Sequence, residues 1–252
     1  MTPTPTPTPL SRAMVMAAGL GTRMQPLTRD RPKPLIAVNS KPLIDYTLDE
    51  LMAGGVTTII ANVHYLADQI EAHMRDNRRE EILVSDERDA LLETGGGLVK
   101  ARALIGPQPF FCCNTDAIFA GTHTGTAIRT LRTAWQDQMK ALLLLVPINR
   151  ARGFDGNGDF HLDPDGHITK AGEEAATFAF TGLQILDPVL LDDLPTGAFS
   201  TRVIWRKAAA MKQIFGVIYP GTWLHVGTPA AITDAEAMLN RLDTRAATPG
   251  TP

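Results

Sequence analysis

Cysteine is scarce in this chain of 252 residues, and the two that are present, Cys112 and Cys113, are neighbours. Adjacent cysteines rarely pair, so the sequence excludes a disulfide scaffold and predicts two buried thiols in a strand. Long apolar runs are also missing, and none approaches the ~20 residues that cross a bilayer. The amino terminus has neither the basic start nor the apolar stretch of a secretory signal. Together these absences predict a cytoplasmic protein with no membrane partner.

An excess of positive charge is absent as well, because the formal net charge is −3. This balance argues against broad binding to nucleic acid. It leaves room for a local basic site, which Arg23, Arg29, Arg31 and Lys33 are close enough in sequence to form. No G-x-S-x-G motif occurs, so a serine hydrolase is not indicated.

The composition suits one globular domain, since 44% of the residues are hydrophobic and a chain of this length can bury one substantial core. We predict that this domain covers residues 11–243. Residues 1–10 are mostly alternating Thr and Pro, a pattern that favours an extended, disordered tail. Residues 244–252 are expected to form a second flexible tail.

Strand and helix patterns alternate through the first 150 residues. We expect strands at residues 13–18, 57–62, 81–85, 110–114 and 140–147, and helices at 44–53, 66–75 and 98–103. Nearly continuous apolar strands that alternate with helices are typical of an α/β fold with a doubly wound, mostly parallel sheet. Such sheets bind ligands at the carboxyl ends of their strands.

The pattern changes after residue 150, where Gly, Asp and Asn crowd residues 152–166. Short strands are expected around Phe160 and Ile168, and a longer one at residues 178–186. We interpret this part as a smaller lobe folded over the sheet edge, followed by a closing helix at residues 229–242.

A glycine-containing turn with basic residues follows the first predicted strand. Gly19 and Gly21 let backbone N–H groups approach anionic oxygens, and Arg23 and Lys33 supply positive charge. The Rossmann fingerprint would need a glycine at Met24, and the Walker pattern has no match. The stretch therefore predicts a phosphate-binding loop of another kind.

A carboxylate stands at the end of another strand, in the segment Asn114, Thr115, Asp116. A carboxylate at this edge of the sheet suits a Mg²⁺ ligand beside a triphosphate. An Asx turn that ends the strand is the plain structural alternative. The nearby glycine loop favours the metal role, whereas the acidic pairs Asp86–Glu87 and Asp192–Asp193 are expected on the solvated surface.

The stretch from Gly19 to Leu35 resembles the signature G-x-G-T-R-x-x-P-L-T…P-K-P-L of the sugar-1-phosphate nucleotidylyltransferases, also called NDP-sugar pyrophosphorylases. The resemblance extends over about residues 13–239 and implies a Rossmann-like nucleotidyltransferase fold. It also implies that Arg23, Lys33 and Asp116 are catalytic, with Asp116 on Mg²⁺. The nucleotide-binding residues that it implies in this loop are Ala18, Gly19, Gly21, Thr22, Arg23 and Lys33.

A second metal segment of the family, usually Trp-x-Asp-Val-Gly-Thr, is matched by residues 223–228 except that His225 replaces the aspartate. Imidazole is a softer ligand than Mg²⁺ prefers. Three roles are open to His225: direct ligation of the metal, action through a water molecule, and a hydrogen bond to the sugar phosphate.

The Glu-Thr-Gly-Gly-Gly segment at residues 93–97 most resembles the short N-acetylmuramate-1-phosphate uridylyltransferases. We expect it to form a loop before the helix, where the resemblance assigns Glu93, Thr94 and Gly95 to the nucleotide. For the sugar, the resemblance implies contacts from Asn114, Asp159, Thr181 and Gly182. The usual Glu-Lys-Pro tripeptide is absent near Glu173 and Glu174, so no sugar-binding glutamate is assigned there.

The resemblance implies Mg²⁺-dependent transfer of a nucleotidyl group from an NTP to a sugar 1-phosphate, with UTP and N-acetylmuramate 1-phosphate as the preferred pair. Residues 11–150 would bind the nucleotide and residues 151–243 the sugar. Two alternatives stay open: a mannose- or glucose-1-phosphate nucleotidylyltransferase that uses GTP, dTTP or UTP, and a catalytically weak regulatory subunit that binds an NDP-sugar. A monomer or homodimer is expected.

Overall fold

The structure, a computed structural model, describes residues 10–76, 82–170 and 175–247. Within these ranges the strands are β1 (Arg12–Met16), β2 (Ala37–Val38), β3 (Lys41–Pro42), β4 (Thr58–Val63), β5 (Ile82–Asp86), β6 (Phe110–Asn114), β7 (Ala117–Ala120), β8 (Ala141–Pro147), β9 (Ala151–Arg152), β10 (Phe160–Leu162), β11 (Ile168–Lys170), β12 (Phe178–Leu186), β13 (Ile214–Ile218) and β14 (Thr222–His225). The helices are α1 (Leu43–Ala53), α2 (Ala67–Asp76), α3 (Glu93–Lys100), α4 (Arg102–Ile105), α5 (Thr126–Ala134), α6 (Arg202–Ala210) and α7 (Pro229–Ala247).

The predicted parallel strands form one side of a mixed, nine-stranded sheet. Strands β5, β4, β1 and β6 lie in this order and pair in parallel, with Val15 of β1 facing Ala61 of β4 and Cys113 of β6. Both cysteines are buried free thiols, as expected. The central strands are apolar throughout because helices cover both faces of the sheet, and the α/β prediction is confirmed.

The sequence predicted that β12 belongs to a lobe folded over the sheet edge, and this prediction is wrong. The strand lies inside the sheet, antiparallel to β6 on one edge and to β8 on the other. Its pairing with β8 shifts register between Phe180 and Gln184. Most of its apolar side chains are buried, and they contribute to the core on both faces of the sheet, as expected for a central strand.

The glycine segment at residues 93–97, expected as a loop, forms the first half of α3. Glycine is unfavourable inside a helix, but here close packing requires it. A Cβ on Gly95 would collide with the ring of Phe199, and one on Gly96 with the carbonyl oxygen of Gly197. The segment is helical because its neighbours leave no space for side chains.

The two ends of the domain also differ from the predicted boundaries. Residues 1–9 lie outside the described part of the chain, whereas Leu10, assigned to the tail, is only 6% exposed and packs in the core. Helix α7 continues to Ala247, into the predicted tail at 244–252. In the part of the chain that the structure covers, no helix has the length and apolar character needed to cross a membrane.

Candidate active site

A cavity of about 220 Å³ opens at the carboxyl ends of β1, β4 and β6. Most of its lining comes from segments that the sequence singled out. The lining residues are Met16, Ala17, Ala18, Gly19, Lys33, Pro34, Asn62, Glu87, Leu91, Glu93, Thr94, Asn114, Thr115 and Asp116. We call this the first cavity.

The glycine loop closes one side of the first cavity. Gly21 has φ +65°, and a Cβ there would lie 3.0 Å from the side chains of Lys33 and Thr28. Gly19 differs, because a Cβ on it would meet nothing within 4 Å. Backbone conformation and packing within the protein therefore explain why residue 21 is a glycine. At Gly19 the missing side chain leaves open space in the wall of the cavity, where a ligand can approach the backbone.

Lys33 and Asp116 form an ion pair at this edge of the sheet. The Lys33 Nζ donates to Asp116 Oδ2 at 2.7 Å, and the two side chains are 14% and 17% exposed. Burial alone would raise the pKa of Asp116, but the charge of Lys33, with His225, outweighs it and holds that pKa well below its usual range. Asp116 therefore stays ionised at neutral pH.

His225 is the third member of this cluster, with its Nε2 3.4 Å from Asp116 Oδ2. It is the last residue of β14. This strand pairs with β7, which begins directly after Asp116, so that His225 faces Ala117. Its ring stacks on Trp223 with centroids 5.3 Å apart, and its buried Nδ1 has no hydrogen-bond partner among the described residues. A Cβ on Gly227 would lie 3.1 Å from His225 Nε2 and 3.6 Å from the Arg23 guanidinium, so exposed Arg23 stands beside the cluster.

A second cavity of about 550 Å³ adjoins the first. Its walls come from β6, β10, β11, β12, α6 and β13. The lining residues are Met16, Thr94, Cys112, Asn114, Asp159, Phe160, Ile168, Phe180, Gln184, Ser200, Thr201, Arg202, Trp205, Arg206, Ala209 and Ile214. Met16, Thr94 and Asn114 line both cavities, so ligands in the two would meet beside Asp116.

The residues expected to contact a sugar divide into two groups. Asn114 and Asp159 line the second cavity, where the Asp159 carboxylate accepts a hydrogen bond from Phe180 N at 2.9 Å. Thr181 is fully buried and donates to the Leu144 carbonyl at 2.9 Å. Gly182 has φ +85° and packs against the Asn114 side chain. Thr181 and Gly182 thus shape the irregular part of β12 and are not among the residues that line either cavity.

The expected nucleotide contacts divide in the same way. Glu93 and Thr94 line the first cavity, whereas the Gly95 N–H, expected to read a base, donates to the Phe199 carbonyl at 2.7 Å. The Gly95 N–H is therefore already used in a hydrogen bond within the protein. Thr22 is exposed in the short turn Thr22–Met24.

Glu87 and Asn62 are site residues that the sequence reasoning missed. Glu87 was expected on the surface, but its side chain is fully buried and accepts from Asn62 Nδ2 at 2.8 Å. Asn62 Oδ1 in turn accepts from Ala17 N at 2.7 Å. Burial raises the pKa of Glu87 above its ordinary value. The position of Asn62 in the sequence could have indicated its role, because Asn62 stands at the end of a predicted strand, as Asn114 does.

The donor set around Asp116 suits a hard divalent cation only in part. Asp116 supplies one ionised oxygen, the ligand type that Mg²⁺ prefers, and His225 a softer nitrogen. Among the described residues, the group of three potential ligands within 4.8 Å of one another lies elsewhere, at Asp163, Asp165 and His167. A Mg²⁺ ion at Asp116 would therefore take most of its oxygens from bound phosphates and water, as is usual for this ion.

Comparison with known proteins agrees with this architecture. The nucleotidyl transferase family matches residues 12–241. The chain is 44% identical to an N-acetylmuramate alpha-1-phosphate uridylyltransferase from Caulobacter vibrioides over 90% of its length and 96% of the relative's. It is 34% identical to the protein of the same name from Neisseria meningitidis, over 90% and 97%.

Solved structures share the fold at much lower identity. The inositol-1-phosphate CTP transferase from T. maritima superposes with a TM-score of 0.76 at 16% identity, over 93% of this chain and 96% of the other. A UDP-glucose pyrophosphorylase bound to UDP-glucose gives a TM-score of 0.76 at 18% identity, over 92% and 99%. With a family match over nearly all of the chain and two relatives above 30% identity, this protein belongs to the nucleotidyl transferase family.

Proposed function

We propose that this nucleotidyltransferase transfers a uridylyl group from UTP to N-acetylmuramate 1-phosphate, giving UDP-N-acetylmuramate and pyrophosphate. The observation that carries the proposal is the junction of the two cavities at Asn114, beside the ionised Asp116. A junction of this kind brings two anionic substrates together next to a fixed cluster of charges. The named relatives at 44% and 34% identity support the choice of base and sugar.

The first cavity holds the nucleotide in this proposal. Backbone groups at Ala18, Gly19 and Gly21 approach the phosphates, with Thr22 and Arg23 on the outer side of the loop. Glu93 and Thr94 border the space left for the nucleoside, above the buried pair of Asn62 and Glu87. Residues 11–150 thus supply most of the nucleotide site.

The second cavity holds the sugar, mostly through residues 151–243. Phe160, Phe180 and Trp205 give it an aromatic wall, with Trp205 edge-on to Phe180 at 5.0 Å and to Phe160 at 5.7 Å. Asn114 and Asp159 provide polar groups for the sugar. Apolar walls with a few placed polar groups are typical of small-molecule sites.

The reaction is an in-line displacement. A phosphate oxygen of the sugar 1-phosphate attacks the α-phosphorus of UTP, the bond from that phosphorus to the bridging oxygen breaks, and pyrophosphate leaves with the electron pair. The attacking phosphate has a second pKa of about 6, so it is already ionised at neutral pH and needs no general base. The chain therefore has to position the two anions and offset their repulsion.

Lys33 and Arg23 stabilise the charge that develops on the leaving pyrophosphate. Asp116 would hold a Mg²⁺ ion, with His225 beside it. When bound, the ion neutralises phosphate charge and orients the reacting groups. Lys33 contacts Asp116 at 2.7 Å and is placed to exchange this carboxylate for a phosphate oxygen.

A coupled pyrophosphate-release assay tests the proposal. UTP, GTP, dTTP and CTP are each combined with N-acetylmuramate, N-acetylglucosamine, glucose and mannose 1-phosphates, with and without Mg²⁺. Turnover only with UTP and the muramate sugar, and only with Mg²⁺, is the expected result. Turnover with another pair of substrates would support the mechanism but contradict the proposed choice of UTP and N-acetylmuramate 1-phosphate. Binding of UTP without turnover of any sugar contradicts the catalytic proposal.

A further inference from the structure

One face of α6 forms a wall of the second cavity. Arg202, Trp205, Arg206 and Ala209 line it, and their spacing of three and four residues puts them on one side of the helix. Ile204 and Ala208, on the other side, are fully buried in the core. The helix therefore presents two arginines to the cavity while its opposite side is fixed by packing.

The two arginines have no counter-charge in the part of the chain that the structure describes. Neither forms a salt bridge with a described residue, and both side chains are exposed. Lys207, which directly follows Arg206, behaves differently, because its ammonium group donates to the carbonyls of Val189 and Asp192. Against the described residues, the helix thus leaves two guanidinium groups without a counter-charge on its cavity side.

The cavity carries little negative charge to offset these groups. Asp159 is the one acidic residue among the described residues that line it, and its carboxylate already accepts from Phe180 N at 2.9 Å. Two guanidinium groups at the rim of a partly apolar cavity attract an anion, and planar carboxylates fit them in a bidentate manner. The charge of this wall points to a ligand that is itself acidic.

We propose that Arg202 and Arg206 bind a carboxylate carried by the sugar and so select an acidic sugar 1-phosphate over a neutral one. This inference rests on the proposed function, in which the sugar is N-acetylmuramate 1-phosphate. That sugar differs from N-acetylglucosamine 1-phosphate by a lactyl ether, whose carboxylate is ionised at neutral pH.

Trp205 lies on the same face of α6 as the two arginines and is fixed by its own contacts. Its indole Nε1 donates to Gln184 Oε1 at 2.7 Å, and its ring lies edge-on to Phe160 and Phe180. A tryptophan held at one end by a hydrogen bond and at its ring by two aromatic side chains has little rotational freedom. The sugar ring can rest against this fixed surface while its carboxylate reaches the guanidinium groups.

The test compares two sugars in variants Arg202→Gln, Arg206→Gln and the double substitution. At saturating UTP and Mg²⁺, kcat and KM are measured with N-acetylmuramate 1-phosphate and with N-acetylglucosamine 1-phosphate. Loss of a hydrogen bond to a charged group lowers affinity by about 10- to 100-fold. We expect KM for the muramate sugar to rise by that factor for each arginine, and the preference for muramate in kcat/KM to fall accordingly.

Lys207→Gln is the matched control, because it removes the same charge from the same helix outside the cavity. It should leave the preference between the two sugars unchanged. Melting temperatures of all variants, measured without substrate, identify any that fold poorly. For such a variant, Arg→Lys at the same position replaces Arg→Gln, since lysine keeps the charge and loses the bidentate geometry.

The outcomes separate this inference from the proposed function. If the wild-type protein turns over the muramate sugar and the arginine variants lose activity equally on both sugars, the arginines bind a group common to both, and the inference is wrong while the function stands. An unchanged preference in the folded double variant also overturns the inference alone. A wild-type protein that accepts only neutral sugars overturns the proposed function and the inference with it.

Discussion

The Lys33 ammonium group contacts the Asp116 carboxylate at 2.7 Å, although 83 residues separate them in the chain. One follows the glycine loop after β1, and the other follows β6, the strand that pairs with β1. The parallel sheet therefore brings opposite charges together at its carboxyl edge before any substrate is present. This pair keeps the carboxylate ionised at neutral pH.

Removal of the Asp116 charge should abolish most activity and spare the fold. For Asp116→Asn or Asp116→Ala we expect turnover to fall by about 10²–10³, the usual cost of one preorganised charge contact at a reacting centre. Pyrophosphate release at saturating substrates measures this. Near-wild-type turnover in a folded variant would contradict the assignment of Asp116.

Lys33→Met should reduce stability as well as turnover, because it leaves a poorly solvated carboxylate without its cation. We expect a loss of about 1–3 kcal/mol in the free energy of unfolding at pH 7. The pKa of Asp116 is lowered in the folded state from an ordinary 3.8, so the pair stabilises the protein above that pH and loses this effect as pH falls. Urea denaturation should therefore show the variant and the wild-type protein converging below about pH 4. A constant difference would contradict this.

Arg23→Ala should affect catalysis alone. Arg23 is exposed and stands beside His225 and Gly227, so its loss leaves no cavity in the core. We expect turnover to fall by about 10²–10³ with no change in melting temperature. Arg75→Ala, an exposed arginine of α2 far from the cluster in sequence, is the control and should retain full turnover.

Gly19→Ala and Gly96→Ala should have opposite consequences. A Cβ on Gly19 meets nothing within 4 Å, so the variant should fold normally and bind UTP more weakly if the loop cradles phosphates. A Cβ on Gly96 collides with the Gly197 carbonyl, so this variant should be less stable even though alanine usually favours a helix. Thermal melting and UTP titration of both proteins measure the two effects. A Gly19→Ala variant with unchanged UTP affinity would contradict the placement of the phosphates.

Glu87→Gln should stabilise the protein increasingly as pH rises. Burial raises the pKa of Glu87 above its ordinary 4.5, so the folded state holds a proton more tightly than the unfolded state. This contribution is fully present below the ordinary pKa and is lost as pH rises through the folded value. The gain in melting temperature over wild type should therefore be larger at pH 8 than at pH 4. Asp137→Asn, at an exposed site, should show no such trend.

His225→Asp should strengthen the response to Mg²⁺, because a second carboxylate oxygen suits this ion better than imidazole. We expect His225→Asp to reach half-maximal turnover at a several-fold lower Mg²⁺ concentration than His225→Asn. Asparagine is the control because it has the size of aspartate without its charge. The same Mg²⁺ dependence in both variants would show that residue 225 does not act on the metal.

Strong local signals made the carboxyl edge of the parallel strands predictable. An apolar run that ends in Asn114 defines β6 to the residue, and the prolines around Lys33 restrict the backbone there. Because parallel strands share one carboxyl edge, the convergence of Lys33 with Asp116 followed from the strand pattern. The fold class followed from the same alternation.

Features that depend on tertiary packing were less predictable. Nothing local distinguishes Glu87, which is buried under Gly97 and Asn62, from an acidic surface residue. Gly95 is required because Phe199 packs against it, and Gly182 because Asn114 does. Both contacts join distant segments of the chain, so from the sequence alone these glycines look the same as glycines that approach a ligand. The basic residues that face the second cavity mask the helical pattern of α6, so this helix was not assigned.

The position of β12 has a consequence for how the protein can be divided. This strand pairs with β6 on one edge and β8 on the other, although it follows both in the chain. A fragment that stopped at residue 150 would also lose β13, the other partner of β8. It would leave one edge of β6 and both edges of β8 unpaired, and exposed apolar edges of this kind promote aggregation. The two cavities are therefore parts of one folding unit. If the second cavity binds the sugar, exchange of sugar specificity between relatives would need substitutions along its wall instead of transfer of a carboxyl-terminal segment.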